Sequence, residues 1–307
     1  MKKNLGDKIF KGIAYVFGFS ILFLLFFMVY EMYQGSKLSM SEFGLGFIFQ
    51  KDWNPVEENF GALTFIYGTI VSSLIALLIA TPISVGIGIY LVEVAPKWVR
   101  NVVGFMIELL AAIPSIVYGL WGIFVLAPII AEDVAPFVDK TLGQIIPFFR
   151  GPSFGVGLIT AGIILAIMIT PTIASIAKEV IMTVPNSQRE AALALGATKW
   201  EMIRMAVLTY ARTGIIGGMI IGLGRAIGET MAVTMVIGNR PAIAETIFQP
   251  AYSMASVIAN EFTEASSNLY LSALIEIGLL LFGVTLLINI SARLLIWSVS
   301  KGVQEVK

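Results

Sequence analysis

The stretch TVPNSQREAALALGATKWEMIRMAVLTYAR, Thr183 to Arg212, is too polar to cross a bilayer and too regular to be a loop. Pro185 ends the helix before it, Asn186 or Ser187 can cap the next one, and Arg189 and Glu190 fall in its first turns. Gly196 stops a short helix made mostly of Ala and Leu, and Thr198 can cap a second that begins at Lys199. The expectation is a helical hairpin over 183–212, a knob whose small Ala191, Ala192 and Ala194 let another protein's surface approach closely. Glu190 supplies its one fixed charge.

Outward from this hairpin the chain turns apolar on both sides. Of 307 residues, 57% are hydrophobic and 13% charged, far more apolar than a soluble domain of this length. Runs near the ~20 residues that span a bilayer fall at about 12–34, 62–93, 102–130, 154–181, 213–238 and 269–298. The expectation is therefore an all-α polytopic membrane protein of six transmembrane helices, a single domain over 1–307. The first run is read as an uncleaved span: it is long for a signal peptide and is followed by Glu31, Met32 and Tyr33, not by small residues. Pro82 should tilt or kink the second span, and Pro114 and Pro171 interrupt the third and fourth.

Orientation follows from the basic residues. With the N-terminus inside, the inner segments hold Lys2, Lys3, Lys8, Lys11, Lys97, Arg100, Lys178, Arg189, Lys199, Arg204, Arg212, Arg293, Lys301 and Lys307. The outer ones hold only Lys37, Lys51, Lys140, Arg150 and Arg240, so both termini should be cytoplasmic. The long outer segments near 35–60, 131–153 and 239–268 carry acids such as Glu57, Glu58, Glu261 and Glu264. They are either solvated loops or a surface for an external protein.

Several function classes drop out. There is no cysteine and no histidine, which removes disulfides, imidazole bases and most transition-metal sites. The 20 basic and 20 acidic residues balance, giving no sign of nucleic-acid binding. No Gly-x4-Gly-Lys-Ser/Thr loop is present, so any ATP chemistry must belong to a partner. No catalytic residue, metal or cofactor is expected, and the lipid bilayer is the first partner.

The fifth span carries an anomaly, GLGRAIGETMAV at Gly222 to Val233. On a continuous helix Gly218, Gly222, Arg225 and Glu229 fall at about 0°, 40°, −20° and 20° and share one stripe. Two central charges facing lipid would cost roughly 5–7 kcal/mol at ~2.5–3.5 kcal/mol each, so the stripe should face a helix interface or a watery cavity. Either the two charges form a structural ion pair at i, i+4, or Arg225 and Glu229 bind substrate. A guanidinium suits a tetrahedral oxyanion, and a carboxylate accepts a hydrogen bond from an anion that still carries a proton, as phosphate does and sulfate does not. Glu108, Ser115, Thr170, Thr172, Ser175, Glu276 and Asn289 are weaker candidates, and the Ser and Thr hydroxyls are expected to bond their own helix carbonyls.

Two resemblances add to this. EAALALG, Glu190 to Gly196, resembles the EAA motif of the ABC-importer permeases, the binding-protein-dependent transport permease family. The likeness implies the type I importer architecture and assigns Glu190, Ala191, Ala192 and Gly196 to coupling with an ATPase subunit. The family's usual Leu-Pro exit is Leu208-Thr209 here, which implies a less rigid exit from the hairpin. GLGRAIGETMAVTMVIGN (Gly222–Asn239), WNPVEENFGALTFIYGTI (Trp53–Ile70) and LLAAIPSIVYGLWGIFVLAP (Leu109–Pro128) are similar to one permease type of the phosphate-specific ABC importers. That likeness implies import of inorganic phosphate through a dimer with a sister (PstA-like) permease. It further implies two ATP-binding (PstB-like) subunits, an external phosphate-binding (PstS-like) protein, and a bacterial or archaeal plasma-membrane location. By the same likeness Arg225 and Glu229 are the transport-path residues. The alternatives are an ABC permease for another oxyanion or small solute, and an ATP-independent secondary transporter or channel.

Overall fold

The computed structural model describes residues 5–304; Lys2, Lys3 and Lys307, which enter the orientation argument, lie outside the described residues. Among the described residues six helices are long and apolar enough to cross a membrane. They are α1 (Leu5–Phe43), α2 (Leu63–Val94), α4 (Ser115–Lys140), α5 (Leu158–Met182), α7 (Lys199–Gly228) and α10 (Asn268–Gln304). Between them lie α3 (Lys97–Ala112), α6 (Asn186–Ala194), α8 (Met231–Val236) and α9 (Met254–Glu261).

The fourth crossing, α5, is the centre of the bundle. Leu158, Ile164, Leu165, Ile169, Ile173 and Ile181 are all fully buried along it. Without water to drive helices together, close approach and dispersion must hold them, and small residues permit both. Gly162 on α5 receives the Ile75 side chain of α2, and Gly214, Gly218 and Gly222 on α7 receive Val180, Ile176 and Ile173 of α5. A Cβ at Gly222 would stand 2.7 Å from Ile173 Cγ1, so this seam admits no larger residue without movement.

Several hydroxyls close the backbone locally, and of the candidates expected to do so Thr170 does. Thr69, Ser72, Thr170 and Thr285 each donate to the carbonyl four residues earlier in their own helix. Beside Pro171, Ser84 of α2 also donates to Thr170 O at 3.1 Å. Pro82 and Pro171 both stay inside continuous helices.

Three expectations need correction. The third span is not one helix over 102–130: α3 starts at Lys97, extended residues Ile113 and Pro114 break the chain, and α4 then runs on to Lys140. The residue before a proline is pushed out of the α region, which places the break. Tyr118 OH donates to Leu110 O at 2.8 Å across it. The fifth span is not one helix over 213–238 either, because α7 ends at Gly228 and α8 restarts at Met231. Third, the second half of the 183–212 hairpin is no separate element. From Lys199 the chain passes through a π turn at Ile203–Val207 and straight into the fifth crossing, with no bend at Leu208-Thr209.

The outer segments at 35–60 and 239–268 are packed in part, while Leu45, Phe49, Val56, Glu57 and Glu58 stay exposed. α1 stays helical to Phe43, and a two-strand ribbon, β1 (Trp53–Asn54) against β2 (Asn59–Phe60), folds onto α10. Trp53, Phe60, Phe65, Tyr252 and Tyr270 form one aromatic cluster. Glu261 accepts from Trp53 Nε1 at 2.7 Å and from Tyr270 OH at 2.6 Å, which ties both outer segments together.

Candidate functional site

Arg225 occupies the last turn of α7 and is exposed on the surface of the chain. Its Nη1 lies 3.4 Å from Thr172 Oγ1 on α5. Thr172 stands about midway along α5, so the guanidinium sits near the middle of the crossing. Ile221 and Gly228 beside it are exposed too. At that depth an exposed guanidinium needs protein, water or an anion over it.

The single-stripe expectation holds for three of the four residues. Gly218 and Gly222 are buried against Ile176 and Ile173 of α5, and the exposed Arg225 reaches Thr172 at the edge of the same seam. Glu229 has left the helix: its backbone is extended at ψ 125°, and its Oε1 accepts the Ala232 N–H at 3.3 Å, capping α8. First-turn N–H groups have no partner within their own helix, so this local bond competes with continuing α7. Among the described residues no ion pair joins Arg225 to Glu229. The i, i+4 pair considered from sequence is therefore not what these charges form.

The site thus joins two crossings. Arg225 comes from the fifth and Thr172 from the fourth. Thr172 was singled out in sequence as a weak candidate. Of the other candidates, Glu108 is exposed on α3, and Glu276 is buried on α10 beside Ser39 of α1.

The second site is α6. None of its residues is buried, and Glu190, Ala191 and Gly196 are exposed while Ala192 is half-buried. Leu195 is 90% exposed. Pro185, not Asn186 or Ser187, occupies the position before the helix. Its end is built as expected: Ala197 N–H bonds Ala192 O at 3.2 Å, Gly196 N–H bonds Leu193 O at 2.9 Å, and Gly196 has φ +86°. This is a Schellman closure, which only glycine enters without strain. Thr198 then caps α7 in a reciprocal box with Glu201, at 3.3 and 2.8 Å.

Over most of its length the chain is similar to known proteins. A family model described as the binding-protein-dependent transport system inner membrane component matches residues 81–301. The phosphate transport system permease protein PstC of Pasteurella multocida is 47% identical over 298 residues, covering 96% of this chain and 93% of its own. Its namesake in Xylella fastidiosa is 48% identical over 274 residues, covering 88% and 84%. In fold, the chain is similar to a chain of a bacterial ABC transporter involved in the import of the acidic polysaccharide alginate. The TM-score is 0.58 at 18% identity, over 93% of this chain and 97% of that one.

Proposed function

The chain belongs to the family of binding-protein-dependent transport system inner membrane components, and from that premise we propose that it is the permease subunit of an ATP-driven importer of inorganic phosphate. As a member of the family it is a multi-pass membrane subunit of an ABC transport system and not an enzyme. The observation that carries the substrate is the likeness, over nearly the whole chain, to proteins named as phosphate permeases. Arg225 gives that reading a chemistry.

In the proposed mechanism this subunit forms half of a pathway whose other half is a sister permease, and the exposed face around Arg225 lines the path between them. The planar guanidinium holds two phosphate oxygens, and Thr172 orients it. Glu229, whose Oε1 caps α8, offers its second carboxylate oxygen to accept a hydrogen bond from the protonated oxygen of the anion, a contact that a fully deprotonated oxyanion cannot make.

Two ATP-binding subunits dock on α6 of each permease through Glu190, Ala191, Ala192 and the Gly196 turn, and an external phosphate-binding protein delivers the ion. ATP binding draws the two α6 helices together and switches the exposure of the cavity. For this to work, ATP must favour one membrane-domain state through that contact.

Phosphate uptake by proteoliposomes holding the whole transporter tests the site. Arg225→Ala is expected to lower uptake roughly ten- to hundredfold, the worth of a charge-assisted bond of ~1.5–3 kcal/mol. Arg225→Lys should fall between, since it keeps charge and loses the fork. Uptake near the native rate in both would remove Arg225 from the path.

A further inference from the structure

One guanidinium joins the cytoplasmic ends of α2, α5 and α6. Arg189 lies in the first turn of α6, next to Glu190. Its Nε and Nη2 both donate to Glu93 Oε1, at 3.1 and 2.8 Å, and Glu93 belongs to the π turn that ends α2. Nη2 also donates to Ile181 O at 3.0 Å, in the last turn of α5, and Nη1 donates to Val184 O. The two side chains are only 15% and 7% exposed. A second guanidinium braces the same end of α2: Arg100 of α3 donates from Nε to Leu91 O at 2.7 Å and from Nη2 to Val92 O at 2.8 Å.

We propose that Arg189 is a positioning residue of the coupling path, transmitting displacement of α6 to the second and fourth crossings through Glu93 and the end of α5. This rests on the reading that α6 docks an ATP-hydrolysing partner. The argument is mechanical. α6 is short, has no buried residue, and is hinged between Pro185 and the Gly196 turn, so its own packing anchors it weakly. A push on its exposed Glu190 face would be absorbed by rocking about those hinges. The fork of Arg189 removes that freedom, because its donors are fixed in one plane and spread over three elements. Displacement then reaches α5, which carries Thr172, and Thr172 touches Arg225.

The test measures phosphate uptake and ATP hydrolysis side by side in proteoliposomes of the complete transporter. With Arg189→Lys or Glu93→Gln, the complex should keep its ATP-hydrolysing subunits and hydrolyse at close to the native rate. Phosphate moved per ATP should fall roughly tenfold, a typical size for a coupling energy between sites. A merely structural defect would lower both rates together. The chain has no cysteine of its own, so a Glu93→Cys/Arg189→Cys double variant can be bridged by a short reducible bis-thiol reagent. Bridging should restore the phosphate-to-ATP ratio and reduction should abolish it again. The proposal is overturned if the single variants keep the native ratio, or if the bridged protein, verified by mass, stays uncoupled. Failure of the docking reading looks different: the native chain itself would retain no ATP-hydrolysing subunit, and the joint would fall with it.

Discussion

A guanidinium keeps its charge in any environment, so an arginine near the middle of a crossing reports on what surrounds it. Among the described residues Arg225 meets the hydroxyl of Thr172. That contact orients the side chain without neutralising it. Thr172→Val keeps the volume and removes the hydroxyl. It should lower phosphate uptake a few-fold, in line with ~0.5–1.5 kcal/mol for one hydrogen bond, and a rate equal to the native one would show that Thr172 does not position Arg225. Glu229 is legible in sequence as a charge and misleading as a position. Helical periodicity places it on the stripe of Arg225, yet its carboxylate caps α8 instead. Periodicity assumes an unbroken helix, and Gly228 followed by a self-capping acid violates that assumption.

At the scale of elements, glycines decide which helices touch. The α5–α7 seam interleaves Gly214, Gly218 and Gly222 with Val180, Ile176 and Ile173. Gly222→Val forces a branched side chain against Ile173, and overpacking of this kind costs ~1–3 kcal/mol. The expected result is a lower thermal midpoint of the purified transporter together with loss of uptake; an unchanged midpoint would mean that the seam yields. The Gly196 turn makes a different demand, since its φ of +86° is a backbone requirement with open space around it. Gly196→Val should strain the turn by about 1–2 kcal/mol. It should weaken retention of the ATP-hydrolysing subunits on co-purification while leaving membrane insertion intact. Retention at the native level would show that the α6 surface tolerates a distorted exit. The end of α6 was readable beforehand because one residue type is adapted to one backbone state. The break at Pro114 was readable too, though not that two separate helices would flank it.

At the scale of the molecule, the exposed first half of α1 and the exposed face around Arg225 both describe a chain built to be covered by lipid and by other subunits. The orientation argument predicts that a green fluorescent protein fused to the C-terminus fluoresces, and that alkaline phosphatase inserted between 140 and 150 is active outside; the reverse pattern would invert the topology. Composition and the spacing of apolar runs were enough to give six crossings and a membrane location, and the Pro185 and Gly196 signals to give the short helix α6. Each is a local or averaged property: the transfer free energy of ~20 consecutive side chains, or the fit of one glycine to one turn. Which faces meet was decided only in three dimensions. The contact of Arg225 with Thr172, the departure of Glu229 from the fifth helix, and the Arg189–Glu93 joint across 96 positions of chain depend on how broken helices pack. Packing energy belongs to pairs of surfaces, and no single stretch of sequence contains both.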